Sequence, residues 1–161
     1  MTIEISNSQI HLPIDPEVVR EITRRVLDGE RIADASISIA FVDDPAIHAI
    51  NRRHLDHDWP TDVITFRLSE PGEETLDAEL VISAEMAAVT ARESGADPNS
   101  ELMLYLVHGL LHLCGYDDVS EESIEAMRKR EDEVLQREGL ANTFASVGPS
   151  HYVGEAVSWT A

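Results

Sequence analysis

Positive charge is scarce in this chain. Twelve Lys and Arg stand against 31 Asp and Glu, a net charge of −19, and Lys129 is the one lysine. That balance excludes the broad basic footprint with which a protein grips nucleic acid by neutralising phosphates alone. Any such contact has to come from a few arginines in local clusters, Arg20/Arg24/Arg25, Arg52/Arg53 or Arg128/Lys129/Arg130, because a guanidinium can pair bidentately and stack. Cysteine occurs once, at Cys114, which rules out an intrachain disulfide and fits a reducing cytoplasm. Its expected role is that of a small buried hydrophobe. No apolar run approaches the roughly 20 residues needed to cross a bilayer, so no membrane partner is expected. The first residues, Met1-Thr2-Ile3-Glu4-Ile5, show neither a basic n-region nor an apolar h-region, and no secretory signal is expected.

What is present is concentrated at His108-Gly109-Leu110-Leu111-His112-Leu113-Cys114-Gly115-Tyr116-Asp117-Asp118. Residues at i and i+4 share a helix face, so His108 and His112 can direct two imidazoles at one ion. Gly115 can take the left-handed conformation that ends a helix, and Asp117 or Asp118 can then return with a carboxylate. Two nitrogens, one oxygen and an open fourth position describe a catalytic zinc site rather than a closed structural one. Two imidazoles in an otherwise apolar helix would need buried partners at a cost of roughly 1–3 kcal/mol for each group left unsatisfied, and an ion removes that difficulty. The zinc-peptidase motif H-E-x-x-H carries its general-base glutamate directly after the first histidine. Gly109 occupies that place here, so the usual peptidase machinery is missing.

These residues resemble a known family. The His segment is similar to the signature H-G-x-L-H-L-x-G-Y-D-H of the YbeY proteins, bacterial metal-dependent endoribonucleases of rRNA maturation. Pro60-Thr61-Asp62-Val63-Ile64-Thr65-Phe66 resembles the family's P-T-D-V-L-S-F, and Ala78-Glu79-Leu80-Val81-Ile82-Ser83 its G-D-I-V-I-S. The resemblance covers residues 35–138 with the motifs in family order. It implies one zinc ion per chain, held by His108, His112 and, at the position of the family's third histidine, Asp118. It also implies a metal-dependent hydrolase that cuts single-stranded RNA in small-subunit (16S) rRNA 3′-end maturation and ribosome quality control. The partners implied are rRNA and the small ribosomal subunit or an associated protein. Glu79 matches an acidic family position and is a candidate for proton transfer, against its reading as a solvated strand residue. Leu55 stands where many members carry an RNA-holding arginine; Arg52 and Arg53 are the nearby candidates for that contact. Metallopeptidase-like hydrolysis and a non-catalytic, metal-stabilised ribosome-assembly factor are the competing readings.

A chain of 161 residues can bury a core of its own, read here as one domain over 1–140 with a loosely ordered tail over 141–161. Alternation predicts strands at Ile3–Ile5, Ser36–Val42, Val63–Phe66 and Leu80–Ile82. Helical spacing predicts helices from Asp15-Pro16 to Gly29, with Val18, Val19, Ile22, Val26 and Leu27 inward, and from Asp44-Pro45 to Leu55. Three more follow: one capped by Ser83 and ending near Gly95, the metal-binding helix opened by Asp97-Pro98, and one capped by Ser120 with Ile124, Met127, Val134 and Leu135 inward. Asp56 to Pro60 reads as a polar loop and Ser69 to Asp77 as an acidic surface turn. The order βαβαββααα argues for an α+β fold, a small mixed four-stranded sheet packed with helices. The resemblance adds a metal site on a helix beside a cleft, with Thr61 and Asp62 at its wall. A purely local turn role for Asp62 is an equal reading.

Overall fold

In the computed structural model, which describes residues 1–57, 61–140 and 158–160, helix starts follow from short polar side chains. Asp15, Asp43, Ser83, Asp97 and Ser120 each accept a backbone N–H from the turn that follows, worth about 1 kcal/mol per cap. They open α1 (Pro16–Gly29), α2 (Asp44–Leu55), α3 (Ala84–Ser94), α4 (Pro98–Leu113) and α5 (Glu121–Arg137). Strands β1 (Thr2–Asn7), β2 (Asp34–Val42), β3 (Val63–Arg67) and β4 (Thr75–Ser83) interleave with them in the expected order.

The sheet is mixed. β1, β2 and β4 run parallel and β3 is antiparallel to β4. To the four expected strands the structure adds a short fifth, β5 (Ser158–Thr160), parallel to β3, giving the order β1-β2-β4-β3-β5. Residues 141–157 and 161 of the tail, and Asp58, Trp59 and Pro60 of the polar loop, lie outside the described residues. Two expectations need correction. β4 begins at Thr75 rather than Leu80, because its first residues pair with β2 and Thr75 Oγ1 donates to Asp34 Oδ2 at 3.0 Å. Val18 is exposed rather than inward. Gly29 ends α1 as expected, and the left-handed residue that follows is Arg31, at φ 61°. A Cβ at Gly29 would stand 2.9 Å from Nη2 of Arg130 on α5, a guanidinium tip that can shift aside.

Strand alternation divides the side chains between two unequal faces. On one, Ile37, Ile39 and Phe41 of β2 and Leu76, Leu80 and Ile82 of β4 join α1, α3, α4 and α5 in the main core. On the other, Val42, Ile64 and Val81 form a smaller cluster with Ile47 and Leu55 of α2, edged by Ala40, Ala46, Ile50 and Phe66. Beyond α2 that second face carries Glu4, Ser38 and Glu79 side by side on β1, β2 and β4, around a groove of about 320 Å³. Helix α4 lies at the centre of the first face, and every residue from 100 to 111 is buried. A helix apolar all round is one enclosed all round. No helix among the described residues is long and apolar enough to cross a membrane.

Candidate metal centre

Helix α4 presents His108 and His112 one turn apart, with their Nε2 atoms 3.1 Å from each other. The helix ends at Cys114, Gly115 takes φ +107°, and the Tyr116 N–H returns to the Leu111 carbonyl at 3.0 Å. This reversal brings Asp118 Oδ2 to 3.8 Å from His112 Nε2. One ligand atom from each of the three residues lies within 4.8 Å of the others. Zinc bonds of about 2.0–2.1 Å place tetrahedral ligands about 3.4 Å apart, so this donor set fits a single ion with small adjustments. Asp117, the alternative third ligand, is turned away. Its carboxylate accepts from the Val119 N–H at 3.2 Å, and the Ser123 hydroxyl together with that bond holds its pKa below the usual value.

The electrostatics suit a cation. Burial, followed by the neighbouring His108, pushes the His112 pKa down to about 4 against the opposing pull of Asp118 and Asp117. At neutral pH the metal-free site therefore offers His112 as a neutral imidazole, the charge state that binds metal. His108 is 3% exposed, and its Nδ1 lies 2.5 Å from Oε1 of Glu131 on α5. Asp62 is buried beside this pair: burial raises its pKa and the charge of a protonated His108 opposes the rise. Its Oδ1 accepts from the Val63 N–H at 2.8 Å and from Thr61 Oγ1 at 3.2 Å. Thr61 and Asp62 thus form an interior turn next to His108. The loop bearing Asp118 is tied down through Tyr116, whose hydroxyl donates to Glu30 Oε2 at 3.2 Å while Arg130 Nε donates to Glu30 Oε1 at 2.6 Å.

Gly109 is where α4 touches the sheet. A Cβ there would stand 2.8 Å from Leu80 Cδ2, 3.0 Å from Val63 Cγ2 and 3.3 Å from Thr65 Cγ2. Gly109 thus serves close packing at the position where a zinc peptidase carries its general-base glutamate.

The remaining sequence candidates are not brought to the cluster. Leu80 faces α4, so Glu79 projects from the opposite face of β4 into the groove with Glu4 and Ser38. Arg52 and Arg53 are exposed in the last turn of α2, which also packs on that opposite face. Leu55 is 8% exposed and closes the α2 cluster, so it acts as a packing residue. In the Arg128 cluster, Arg130 pairs with Glu30 and Glu133; Arg20 and Arg25 of α1 pair with Glu17 and Glu21. The Cys114 thiol, pushed up to about 12 by burial and by Glu30 against the pull of Arg67, stays protonated, and the residue packs half-buried against the core.

Glu131 is the residue that sequence reasoning missed. It lies four residues after Met127 and four before Leu135, in the middle of the stripe with which α5 faces the core, and is 2% exposed. An acid in a buried stripe was the available signal.

Comparison with known proteins finds matches over most of the chain. The family profile described as Endoribonuclease YbeY matches residues 4–139. Curated relatives named Endoribonuclease YbeY include one from Syntrophotalea carbinolica, 39% identical over 142 residues, spanning 84% of this chain and 94% of the relative. Another, from Anaeromyxobacter sp., is 42% identical over 130 residues, 80% of this chain and 68% of the relative. Among solved structures, the solution structure of TM1509 from Thermotoga maritima superposes with a TM-score of 0.60 at 27% identity, covering 86% of this chain and 92% of that one.

Proposed function

Because the chain belongs to the YbeY endoribonuclease family, we propose that it is a zinc-dependent endoribonuclease cutting single-stranded RNA in small-subunit (16S) rRNA 3′-end maturation and ribosome quality control, in the cytoplasm. The observation that carries this reading is the convergence of His108, His112 and Asp118, two nitrogens and one oxygen within 4.8 Å of one another. Such a donor set suits zinc with a position left for chemistry. A divalent ion held there would supply Lewis acidity toward water or a phosphoryl oxygen. The protein's own part is to hold the set. Helix α4 fixes both imidazoles, Gly115 reverses the chain, and Asp118, the most exposed of the three, marks the side open to substrate. One carboxylate and two neutral imidazoles leave a net +1 on a divalent ion, where three imidazoles would leave +2, so the site is a milder Lewis acid than a three-histidine site.

The charge balance supports an assisted encounter. At −19 the chain repels free RNA at long range, so the substrate is rRNA presented by the small ribosomal subunit or by a protein bound to it. The test uses purified chain, stripped by chelator and reloaded with zinc, offered single-stranded RNA, duplex RNA and unfolded protein, with and without small ribosomal subunits. Zinc-restored cleavage confined to single-stranded RNA is the expected result. Metal-loaded protein that cuts no RNA even beside subunits would instead make it a non-catalytic assembly factor.

A further inference from the structure

An acid buried in the apolar stripe of a helix needs a reason, and Glu131 has one. Along α5 the residues facing the core are Met127, Glu131, Val134 and Leu135, successive positions on one helix face. Placing a carboxyl among them is unfavourable unless it is hydrogen-bonded. Glu131 Oε1 lies 2.5 Å from His108 Nδ1, and the two side chains are 2% and 4% exposed. A carboxylate can only accept, so this bond assigns the imidazole proton to Nδ1 and leaves Nε2 with its lone pair. Nε2 is the atom that faces His112, 3.1 Å away, and through it the Asp118 carboxylate.

We infer that Glu131 is a positioning residue for the metal centre: from α5 it fixes the tautomer and ring orientation of His108, so that Nε2 points into the site formed with His112 and Asp118. The inference rests on the metal-hydrolase reading only in taking His108 as a ligand, and it goes beyond that reading by making α5 part of the site. The same helix start serves both tasks. Ser120 caps α5 through its reciprocal bonds with Ser123, two residues after Asp118. The cap thus anchors the loop carrying the third ligand and sets the rotation that brings Glu131 inward eleven residues later. A carboxyl bonded to the far nitrogen of a ligating histidine also raises its basicity, and losing such a partner typically lowers metal affinity about 10–100-fold.

The experiment measures zinc affinity by competition with a chromophoric chelator in the full chain, for the parent, Glu131→Gln and Glu131→Leu. The glutamine keeps the shape and an accepting oxygen, and the leucine continues the apolar stripe of α5, so at least one variant retains the fold; circular dichroism of each metal-free protein verifies this. Affinity should fall about 10–100-fold in the leucine variant, less in the glutamine variant, and the visible spectrum of the cobalt-loaded variants should shift from that of the parent. Long-range ¹H–¹⁵N spectra of the metal-free parent should show His108 with Nδ1 protonated. A folded leucine variant that binds zinc within about twofold of the parent, or a His108 protonated on Nε2, overturns the inference, since a merely structural glutamate would alter melting and nothing else. RNA cleavage is scored separately. A chain that binds zinc, loses affinity on substitution of Glu131 and cuts no RNA supports this inference while sinking the nuclease reading; a parent that takes up no zinc overturns both.

Discussion

The two faces of the sheet are built from the same strands and do different work. The face under α1, α3 and α4 holds nearly all the fully buried side chains, and α4 is enclosed so completely that its two histidines have little freedom. The face under α2 holds a small apolar cluster and an open row of Glu4, Ser38 and Glu79. A residue's chemistry here depends on which face it meets. Glu79 and Leu80 are neighbours in sequence, yet one faces the groove and the other supports the metal-binding helix.

The sharpest way to break this comparison is to truncate those neighbours. Leu80→Ala, at a site 1% exposed and packed against α4, should cost about 2–5 kcal/mol in urea unfolding, while Glu79→Ala should stay within about 0.5 kcal/mol of the parent. Equal costs would mean that the faces are not distinct. Next in size is Gly109→Ala. Helix propensity alone favours alanine by about 1 kcal/mol, but the added methyl would stand 2.8 Å from Leu80 and 3.0 Å from Val63, and overpacking of this kind costs about 1–3 kcal/mol. The net should be destabilising, and a stabilised variant would show that α4 can move off the sheet.

A smaller effect is expected on acidification. In the metal-free protein His112 titrates near 4 against an ordinary value of 6.5. Above about pH 6.5 both folded and unfolded chains hold it neutral. As pH falls from 6.5 toward 4 only the unfolded chain takes up the proton, so this contribution to stability is present at neutral pH and lost across that window. Denaturant melts from pH 7 to 4 should show the loss, diminished in His112→Gln; an unchanged slope in the variant would assign it elsewhere.

How much of the molecule is legible in its sequence follows from the range over which each feature is encoded. His108, His112, Gly115 and Asp118 lie within one helix end and one turn, where spacing alone specifies geometry. The five helix starts are readable for the same reason, since each cap is a short polar side chain bonded to the next turn. The bond between Glu131 and His108 spans 23 positions and depends on how α5 crosses α4, although the acid between Met127 and Leu135 hints at it. Alternation puts Glu79 and Leu80 on opposite faces, but nothing local says which face α4 covers, and so Glu79 is a candidate for proton transfer on sequence alone and is placed in the groove by the fold. Ser158–Thr160 joins the sheet through pairing with an edge strand, which no periodicity in three residues can announce.

Two smaller effects refine the picture. If Arg52 and Arg53 hold phosphates, changing both to Ala should flatten the dependence of log RNA affinity on log salt by roughly 0.7 for each phosphate no longer neutralised. An unchanged slope would leave recognition to a partner and keep the α2 face out of substrate binding. Cys114, with its thiol pushed up to about 12, should react with iodoacetamide far more slowly at pH 8 than a thiol with a pKa of about 8.5, because the thiolate is the nucleophile. Fast alkylation in the folded protein would contradict this packing of Cys114 against the core.

The most direct test of the account compares kcat/KM on single-stranded RNA for zinc-loaded parent, His112→Ala and Glu79→Gln. A metal centre on the α4 face predicts that His112→Ala falls to the uncatalysed background, while Glu79→Gln stays within about twofold of the parent, the scale of a surface change of about 0.5 kcal/mol. Cleavage that survives in His112→Ala and collapses in Glu79→Gln would place the chemistry in the groove on the opposite face and contradict the account at its centre.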